Sequence, residues 1–538
     1  MKLSYPIETY QENLVLTKER EVMAFYAIPY FAISPVNVKK KGEMKETLEK
    51  ALKKLLPHAY FEISLVSRDF LLQEKMSDLL ETLMPECKAS GKVYLEGVTK
   101  RYTKEMEIPY KYVWLLGVSL SKEREAMNFK ELIQHTLQKQ TETFMRGLGR
   151  YIQVTETWAE EWKQAERELR QTLSALKPVP LSGEQMYYYQ KLQFLPYIPH
   201  LRKEVLDSRT VNNVTDTMIY ANTMGELKFV SPFGTSYCSI LPVGKSTGIL
   251  TNNHIGEIVQ TFNFPVCLKI KAHFPDMNGS FGYKSKMTQG MTRSKMIMRE
   301  TAATGNVMHD RIVIGRQGLN DMAKKMQAKV PILEYGTFLI IAASSRKQLR
   351  SRVKTAVEAF ETLRIDLEYA RLDQPYLFQS LLYGAKLNRD SRFWYHVSDV
   401  GGFSQQLFFT TTKSGSDSGF PLGRVDSNYY KWEDLNQATH ASRNIVLYNP
   451  MLANKENIAG KVTKNLLTTI TGMTGSGKSI LAQYLFLQAV HSKIRTLYVD
   501  PKHTMREQWL SVSKNPKWRK RNPDLAEIID NIHWSTLD

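Results

Sequence analysis

The sequence feature that most restricts the fold of this chain is a glycine-rich segment near its carboxyl end. Residues 472–479 read Gly-Met-Thr-Gly-Ser-Gly-Lys-Ser and match the pattern GxxxxGK[ST] in full. At ordinary residue frequencies, a chain of 538 residues contains about 0.02 such matches by chance. A β-prone run at 466–470 precedes the segment, and Leu481, Leu485 and Ala489 follow it at helical spacing. The pattern therefore predicts strand, loop and helix in that order.

This spacing predicts a loop that holds phosphate groups, with a plain glycine-rich turn as the alternative. Glycines let the backbone wrap closely, so that N–H groups and the helix N-terminus point at phosphate oxygens. The lysine would supply a positive charge to the β- and γ-phosphates, and the last serine hydroxyl would bind Mg²⁺. We therefore predict ATP and Mg²⁺ as ligands. The predicted binding residues are Gly472, Met473, Thr474, Gly475, Ser476, Gly477, Lys478 and Ser479, with Ser479 as the metal ligand.

A second Gly-Lys-Ser sequence occurs at residues 244–246, but it does not complete the pattern. The position five residues before Gly244 is Ser239 rather than glycine. Asn252 and Asn253 also interrupt any helix that would follow. We interpret this segment as an ordinary loop.

A candidate acid follows the predicted phosphate-loop helix. Residues 494–502 predict a strand ending at Asp500, which could hold Mg²⁺ through water, orient Lys478 or cap the next turn. The residues leave these alternatives open. No apolar run ending in Asp-Glu follows Ser479, so no second acidic motif for hydrolysis is predicted. Because a complete domain of this type needs more strands to cover its sheet, we expect the chain to stop inside that domain.

Composition and charge narrow the class of protein. The 42% hydrophobic content argues against a disordered chain, and no run approaches the 18 apolar residues of a membrane span. The three cysteines, far apart in sequence, predict neither disulfides nor a zinc site, and no secretory signal is visible. With 73 basic and 54 acidic side chains the net charge is +19, which favours acidic partners such as nucleic acid, anionic lipid or acidic protein.

The basic residues are dense around Trp518. A nucleic-acid contact with stacking by Trp518 is one interpretation of this patch, and a solvated turn is the other. Its members are Lys514, Lys517, Arg519, Lys520 and Arg521.

The predicted fold class is α/β. A helical pattern runs from about Glu125 to Ala175, and a βαβ unit with a parallel sheet is predicted from a strand at 332–343, a helix at 345–363 and a strand at 365–370. The predicted regions are an N-terminal α/β domain with the long helix (1–180), a second α/β region with the βαβ unit (181–400), a linker (401–420) and the incomplete start of a phosphate-loop domain (421–538).

The whole chain resembles the conjugation ATPases of type IV secretion systems, the VirB/TraC class. It looks closest to the TcpF/TrsE/ConE-like members from Gram-positive mobile elements. The resemblance is carried by the opening MKLSYPIETYQENLVLTKEREVMAFYAIP, by Asp-Gln-Pro-Tyr-Leu-Phe-Gln-Ser-Leu-Leu at 373–382, by residues 471–479, and by Tyr-Val-Asp-Pro-Lys at 498–502.

This resemblance implies a RecA/HerA-like P-loop NTPase domain in which Lys478 and Ser479 bind nucleotide and Mg²⁺. Asp500 matches a position that is commonly acidic in HerA/FtsK-like motors. The family's Walker-B carboxylates, glutamine sensor and arginine finger have no counterpart here, so hydrolysis by this chain alone is not predicted. The resemblance further implies a hexamer bound peripherally at the cytoplasmic face of the cell membrane, partnered by membrane-complex proteins of the secretion system. DNA is a further candidate partner.

Three functions remain open from the sequence. The chain is an ATP-binding motor subunit that powers apparatus assembly or DNA/protein transfer, a non-hydrolysing scaffold or docking fragment of that machine, or a HerA/FtsK-type DNA translocase.

Overall fold

A computed structural model describes most of the chain, and its helices and strands form a mixed α/β fold. The described residues are 4–29, 31–32, 38–58, 60–106, 108–120, 157–207, 214–245, 255–275, 277, 282–303, 310–387, 393–411, 414–425, 444–450, 467–492, 494–500 and 504–535. The predicted helical segment at 125–175 therefore lies largely outside the described residues.

The strands are β1 (Ile7–Gln11), β2 (Leu14–Thr17), β3 (Val22–Ile28), β4 (Phe31–Ala32), β5 (Tyr60–Asp69), β6 (Tyr110–Ser119), β7 (Val179–Pro180), β8 (Met218–Thr223), β9 (Glu226–Ser231), β10 (Gly234–Pro242), β11 (Val266–His273), β12 (Ile332–Ala343), β13 (Tyr395–Asp399), β14 (Thr410–Thr411), β15 (Phe420–Val425) and β16 (Asn444–Tyr448).

The helices are α1 (Val38–Lys53), α2 (Leu72–Thr82), α3 (Lys88–Met106), α4 (Trp158–Thr172), α5 (Gly183–Leu192), α6 (Arg202–Asp207), α7 (Ile255–Thr261), α8 (Tyr283–Ala303), α9 (Asp310–Gln327), α10 (Arg346–Glu361), α11 (Gln374–Ser380), α12 (Val400–Ser404), α13 (Lys478–His491), α14 (Thr504–Ser513), α15 (Pro516–Arg521) and α16 (Pro523–Asp530). No helix in the described part of the chain combines the length and apolar character that a bilayer span requires.

The chain divides into two compact units. The first comprises Met1–Arg68 and Tyr112–Thr412, and the second comprises Asp69–Lys111 and Lys413–Asp538. A segment from the N-terminal part of the sequence therefore completes the unit that contains the glycine-rich loop. This grouping differs from the division expected from the sequence, which places domain boundaries after residues 180, 400 and 420. Those boundaries stay predictions.

A large sheet organises the first unit. Twelve described strands form it in the order β1-β2-β3-β6-β5-β11-β12-β10-β9-β8, with β13 paired to β12 and β7 paired to β3. Side chains alternate along β12, so Leu339 and Ile341 pack into one hydrophobic cluster while Phe338 and Ala342 pack into the other. Both faces of the sheet are thus buried, which explains why β12 is almost continuously apolar.

The predicted parallel βαβ unit is wrong. The helix forms as α10, where the Ser345 hydroxyl accepts a hydrogen bond from the N–H of Gln348 at 3.3 Å. However, β12 pairs antiparallel with β10, β11 and β13, and the expected strand at 365–370 is reduced to one antiparallel bridge between Leu367 and Val243. The physical reason is that both hydrogen-bonding edges of β12 are already occupied, so a crossover strand has no edge to join.

The predicted linker at 401–420 is also different in the structure. It contains most of α12 and all of β14, and Phe403, Phe408 and Phe409 are fully buried in the core of the first unit. Residues 405–409 and the small polar residues at 414–419 lie outside helices and strands. Among these, Ser416 is fixed by a hydrogen bond from its N–H to the carbonyl of Leu447 at 2.7 Å.

The second unit is built around a helical hairpin. Helices α2 and α3 pack against β15 and β16 through a hydrophobic cluster that includes Leu79, Leu95, Tyr102, Phe420 and Leu447. An ion pair between Arg424 and Glu105 joins the same two layers. Residues 69–111 therefore contribute a core without which the β15–β16 pair would expose its apolar side.

Candidate functional site

The glycine-rich loop has the backbone geometry that its sequence predicts. Gly475 and Gly477 lie in the left-handed region with φ angles of 81° and 82°, and Gly477 caps the start of α13. Residues with a Cβ adopt this conformation only at a cost, which is why glycine occupies both positions. At Gly472 an added Cβ would lie 2.6 Å from the Ser476 Oγ, so a larger residue there would force the serine side chain to move.

The start of α13 provides donors for an anion. The first intrahelical bond runs from the Leu481 N–H to the Gly477 carbonyl at 3.0 Å. The helix itself offers no acceptor for the N–H groups of residues 478–480, and its dipole places partial positive charge at the same end. A phosphate at this point would satisfy these groups.

Lys478 reaches back over the loop. Its Nζ donates to the carbonyl of Gly472 at 2.9 Å and to that of Met473 at 2.7 Å. Ser479, the second residue of α13, is exposed, as is most of the loop. The structure therefore brings residues 472–479 together as one accessible cradle with a lysine ammonium at its centre and a serine hydroxyl at its edge. This donor set fits a nucleotide phosphate with Mg²⁺.

Among the described residues, no strand forms on either side of this cradle. Residues 467–470 and 494–500 have no ladder partner among the described residues, and Leu467, Leu497 and Val499 are 83%, 89% and 67% exposed. A β-prone run becomes a strand only when another strand pairs with it, so propensity alone misleads here.

Asp500 serves as a cap in this structure. Its Oδ2 accepts a hydrogen bond from the N–H of Met505 at 2.9 Å, in the first turn of α14. The sequence left a cap and a nucleotide-site role open, and the structure shows the first. Aromatic packing of Phe486 on Tyr498 (5.4 Å between ring centres) and on Trp509 (6.1 Å) holds this segment and α14 against α13.

The sequence did not predict the contacts that α13 makes with distant segments of its unit. The Tyr484 hydroxyl donates to the carbonyl of Pro421 at 2.8 Å and lies 2.8 Å from the Tyr94 hydroxyl on α3. The N–H of Met84 donates to the carbonyl of His491 at 3.0 Å. No local signal could have revealed these pairs, because about 390 residues separate Tyr94 from Tyr484.

The remaining candidates from the sequence are the second Gly-Lys-Ser segment and the basic patch around Trp518. Gly244 and Lys245 form backbone hydrogen bonds with Asp366, each at 2.8 Å, directly after the bridge between Val243 and Leu367. Ser246 lies outside the described residues. In the basic patch, Arg519 forms an ion pair with Asp530 at 2.6 Å.

Comparisons with known proteins agree with the geometry. Residues 443–538, which include the cradle, match the model of a family described as an AAA-like domain. The cradle and this match together define a P-loop NTPase segment. The whole chain is also 23% identical to the uncharacterized protein YddE of Bacillus subtilis (strain 168) over 541 aligned residues. It spans 64% of the length of that relative.

Proposed function

We propose that this chain is the ATP-binding motor subunit of a conjugative type IV secretion system, which powers apparatus assembly or DNA/protein transfer. The observation that supports this proposal most strongly is the cradle at 472–479, with its two left-handed glycines and central lysine. The AAA-like match over the same segment supports nucleotide binding. The conjugative role rests on the sequence resemblance described above.

Each residue of the cradle has a role in this proposal. The N–H groups of residues 478–480 hold phosphate oxygens at the start of α13. Lys478 exchanges its bonds to the Gly472 and Met473 carbonyls for bonds to the β- and γ-phosphates. These ammonium–phosphate bonds are stronger than the bonds to neutral carbonyls that they replace. The Ser479 hydroxyl holds Mg²⁺, which neutralises charge on the phosphates.

Asp500 has a second role in this proposal. Its carboxylate caps α14 through Met505 and, within the nucleotide-bound site, acts through a water molecule on Mg²⁺. One carboxylate has enough acceptor positions for both partners.

We place the subunit at the cytoplasmic face of the cell membrane, as a hexamer that docks on membrane-complex proteins of the secretion system. A DNA translocase of the HerA/FtsK type is the second candidate. It is favoured by the exposed side chains of Lys517, Lys520 and Arg521. DNA binding that weakens steeply with salt and with charge removal at these three positions would support the translocase.

The magnesium site is tested by titrating ATP into the full chain with and without Mg²⁺, in wild type and in Ser479→Ala. We expect Mg²⁺ to tighten ATP binding in wild type and to have little effect in the variant. A Mg²⁺ effect of equal size in both proteins would remove Ser479 from the site. Measuring ATP turnover in the same samples separates a motor from a scaffold that only binds.

The conjugative role is tested in cells. Transfer of the mobile element should be restored to a strain lacking this gene by the wild-type chain and not by Lys478→Ala. Transfer at wild-type frequency with the variant would contradict a nucleotide-driven role in conjugation.

A further inference from the structure

The first unit contains an apolar cavity with one amine in its wall. The cavity has a volume of about 80 Å³ and lies between the large sheet and the segments around α5 and α11. Phe229, Ile340 and Phe378 are among the apolar residues that line it. Ser67 and Tyr197 also line it and are half-buried.

The amine belongs to Lys269, which occupies a position where a core residue would be expected. Leu268 and Ile270 on β11 face one hydrophobic cluster, and alternation along the strand turns Lys269 and Lys271 to the other face. Taken alone, such a strand is typical of a sheet with one solvated face. Here that face is covered, and both lysines are buried.

The two buried amines share one carboxylate. Glu62 lies 3.2 Å from the Lys271 Nζ, so this pair is compensated. The Lys269 Nζ donates to the Gln193 Oε1 at 2.8 Å and to the Leu381 carbonyl at 2.7 Å, and it lies 3.8 Å from the centre of the Tyr383 ring. Among the described residues, no carboxylate forms an ion pair with Lys269.

The charge of this buried amine is only partly balanced, because burial removes its hydration and the nearby carboxylate of Glu62 is ion-paired with Lys271. Burial lowers the pKa of Lys269 to about 7, with Lys271 adding to this effect and Glu62 opposing it. An anion in the cavity would supply the missing charge and keep the amine protonated.

We propose that this cavity binds a small monocarboxylate whose carboxylate pairs with Lys269 and whose short apolar tail lies among the apolar lining residues. Size limits the tail to a few carbon atoms, since the cavity is smaller than the roughly 150 Å³ that accommodates benzene. A single negative charge fits better than a phosphate dianion, because Lys269 is the one basic side chain among the residues that line the cavity. The proposal involves the first unit alone and does not depend on nucleotide binding.

The test uses the full chain and compares sodium propanoate with propan-1-ol by calorimetric titration. Both ligands carry the same two-carbon tail, so the difference between them isolates the carboxylate. At pH 6.5 we expect propanoate to bind about tenfold or more tightly than the alcohol. Above pH 7 its affinity should fall by up to about tenfold per pH unit, because the free amine must then gain a proton. Equal affinity for the two ligands, or no binding of propanoate, would overturn the proposal.

The pH dependence must be traced to Lys269, since other titratable groups line or neighbour the cavity. Burial raises the pKa of Tyr383 and of Cys238, which moves their titration further above pH 7. Burial lowers the pKa of Lys271, which moves its titration toward the range in which Lys269 titrates. The groups in question are Glu62, Tyr189, Tyr197, Cys238, Cys267, Lys271 and Tyr383. Lys269→Met keeps the side chain as far as Cε, with sulfur in place of Cδ, and removes the amine. It should bind propanoate no better than the alcohol and show no loss of affinity above pH 7.

A second variant keeps the test decisive if Lys269→Met does not fold, which circular dichroism will show. Ala342 lines the cavity, so Ala342→Leu fills it and leaves the amine in place. We expect this variant to bind both propanoate and the alcohol at least tenfold more weakly. Unchanged binding of both ligands would show that they bind elsewhere and would refute the site.

Discussion

Alanine at Gly475 tests whether the left-handed loop is the nucleotide-binding conformation. The residue has a φ of 81°, and no atom lies within 4 Å of the place where a Cβ would be added. Gly475→Ala therefore introduces backbone strain without a steric clash. The left-handed conformation costs an L-residue about 1–2 kcal/mol. If ATP binding requires this conformation, the affinity should fall by about 5- to 30-fold, since 1.4 kcal/mol corresponds to a factor of ten.

Gly97 on α3 provides the matched control in the same unit. It lies inside a helix, has no left-handed φ, and an added Cβ would meet nothing within 4 Å. Gly97→Ala should stabilise the protein by about 0.5–1 kcal/mol, because alanine loses less conformational freedom in a helix. Urea unfolding gives the stability and calorimetric titration gives the ATP affinity. Gained stability and unchanged ATP affinity in Gly475→Ala, as expected for Gly97→Ala, would refute a nucleotide-binding role for the left-handed loop.

Three further predictions concern the surroundings of the loop. Tyr484→Phe removes hydrogen bonds to Tyr94 and to Pro421 and should lower the free energy of unfolding in urea by about 1–2 kcal/mol. Tyr94→Phe removes one exposed hydrogen bond and should lower it by about 0.5 kcal/mol. A larger loss for Tyr94→Phe than for Tyr484→Phe would contradict this prediction. Burial raises the pKa of Tyr484, so the folded state keeps a proton that the unfolded state releases near pH 10. Its contribution to stability is present below pH 10 and lost above it, and Tyr484→Phe should flatten that loss in unfolding measured from pH 8 to 11. Asp500→Ala should lower the free energy of unfolding by about 1 kcal/mol, because it removes the cap on the Met505 N–H, whereas Asp500→Asn keeps that cap. A weaker Mg²⁺-dependent ATP affinity in Asp500→Asn would show that the carboxylate also acts at the nucleotide site.

The features that depend on interactions between neighbouring residues could be predicted from the sequence. The loop at 472–479 and the helix after it follow from glycine conformations and helical spacing within about 20 residues, and both are present. The helix α10 likewise follows from an N-cap serine and one apolar face. The coarse α/β class was also predictable from alternating elements.

Pairing between distant segments could not be predicted in the same way. β5 pairs with β11 across about 200 residues, and nothing near either strand specifies the partner. The same holds for the hairpin at 69–111, whose apolar faces do not reveal that β15 and β16 cover them. Lys269 illustrates the consequence for the candidate cavity, because an alternating Lys pattern predicts solvent on a face that tertiary packing encloses.

The central claim is that residues 472–479 bind nucleotide phosphate through Lys478. The most direct measurement is the ATP affinity of wild type against Lys478→Ala, with Lys517→Ala as a control that removes an exposed lysine from the same unit. A bond between a charged lysine and phosphate contributes about 1.5–3 kcal/mol, which predicts a loss of about 10- to 150-fold in Lys478→Ala. Lys517→Ala should bind ATP as wild type does. Equal ATP affinity in wild type and Lys478→Ala would contradict the account.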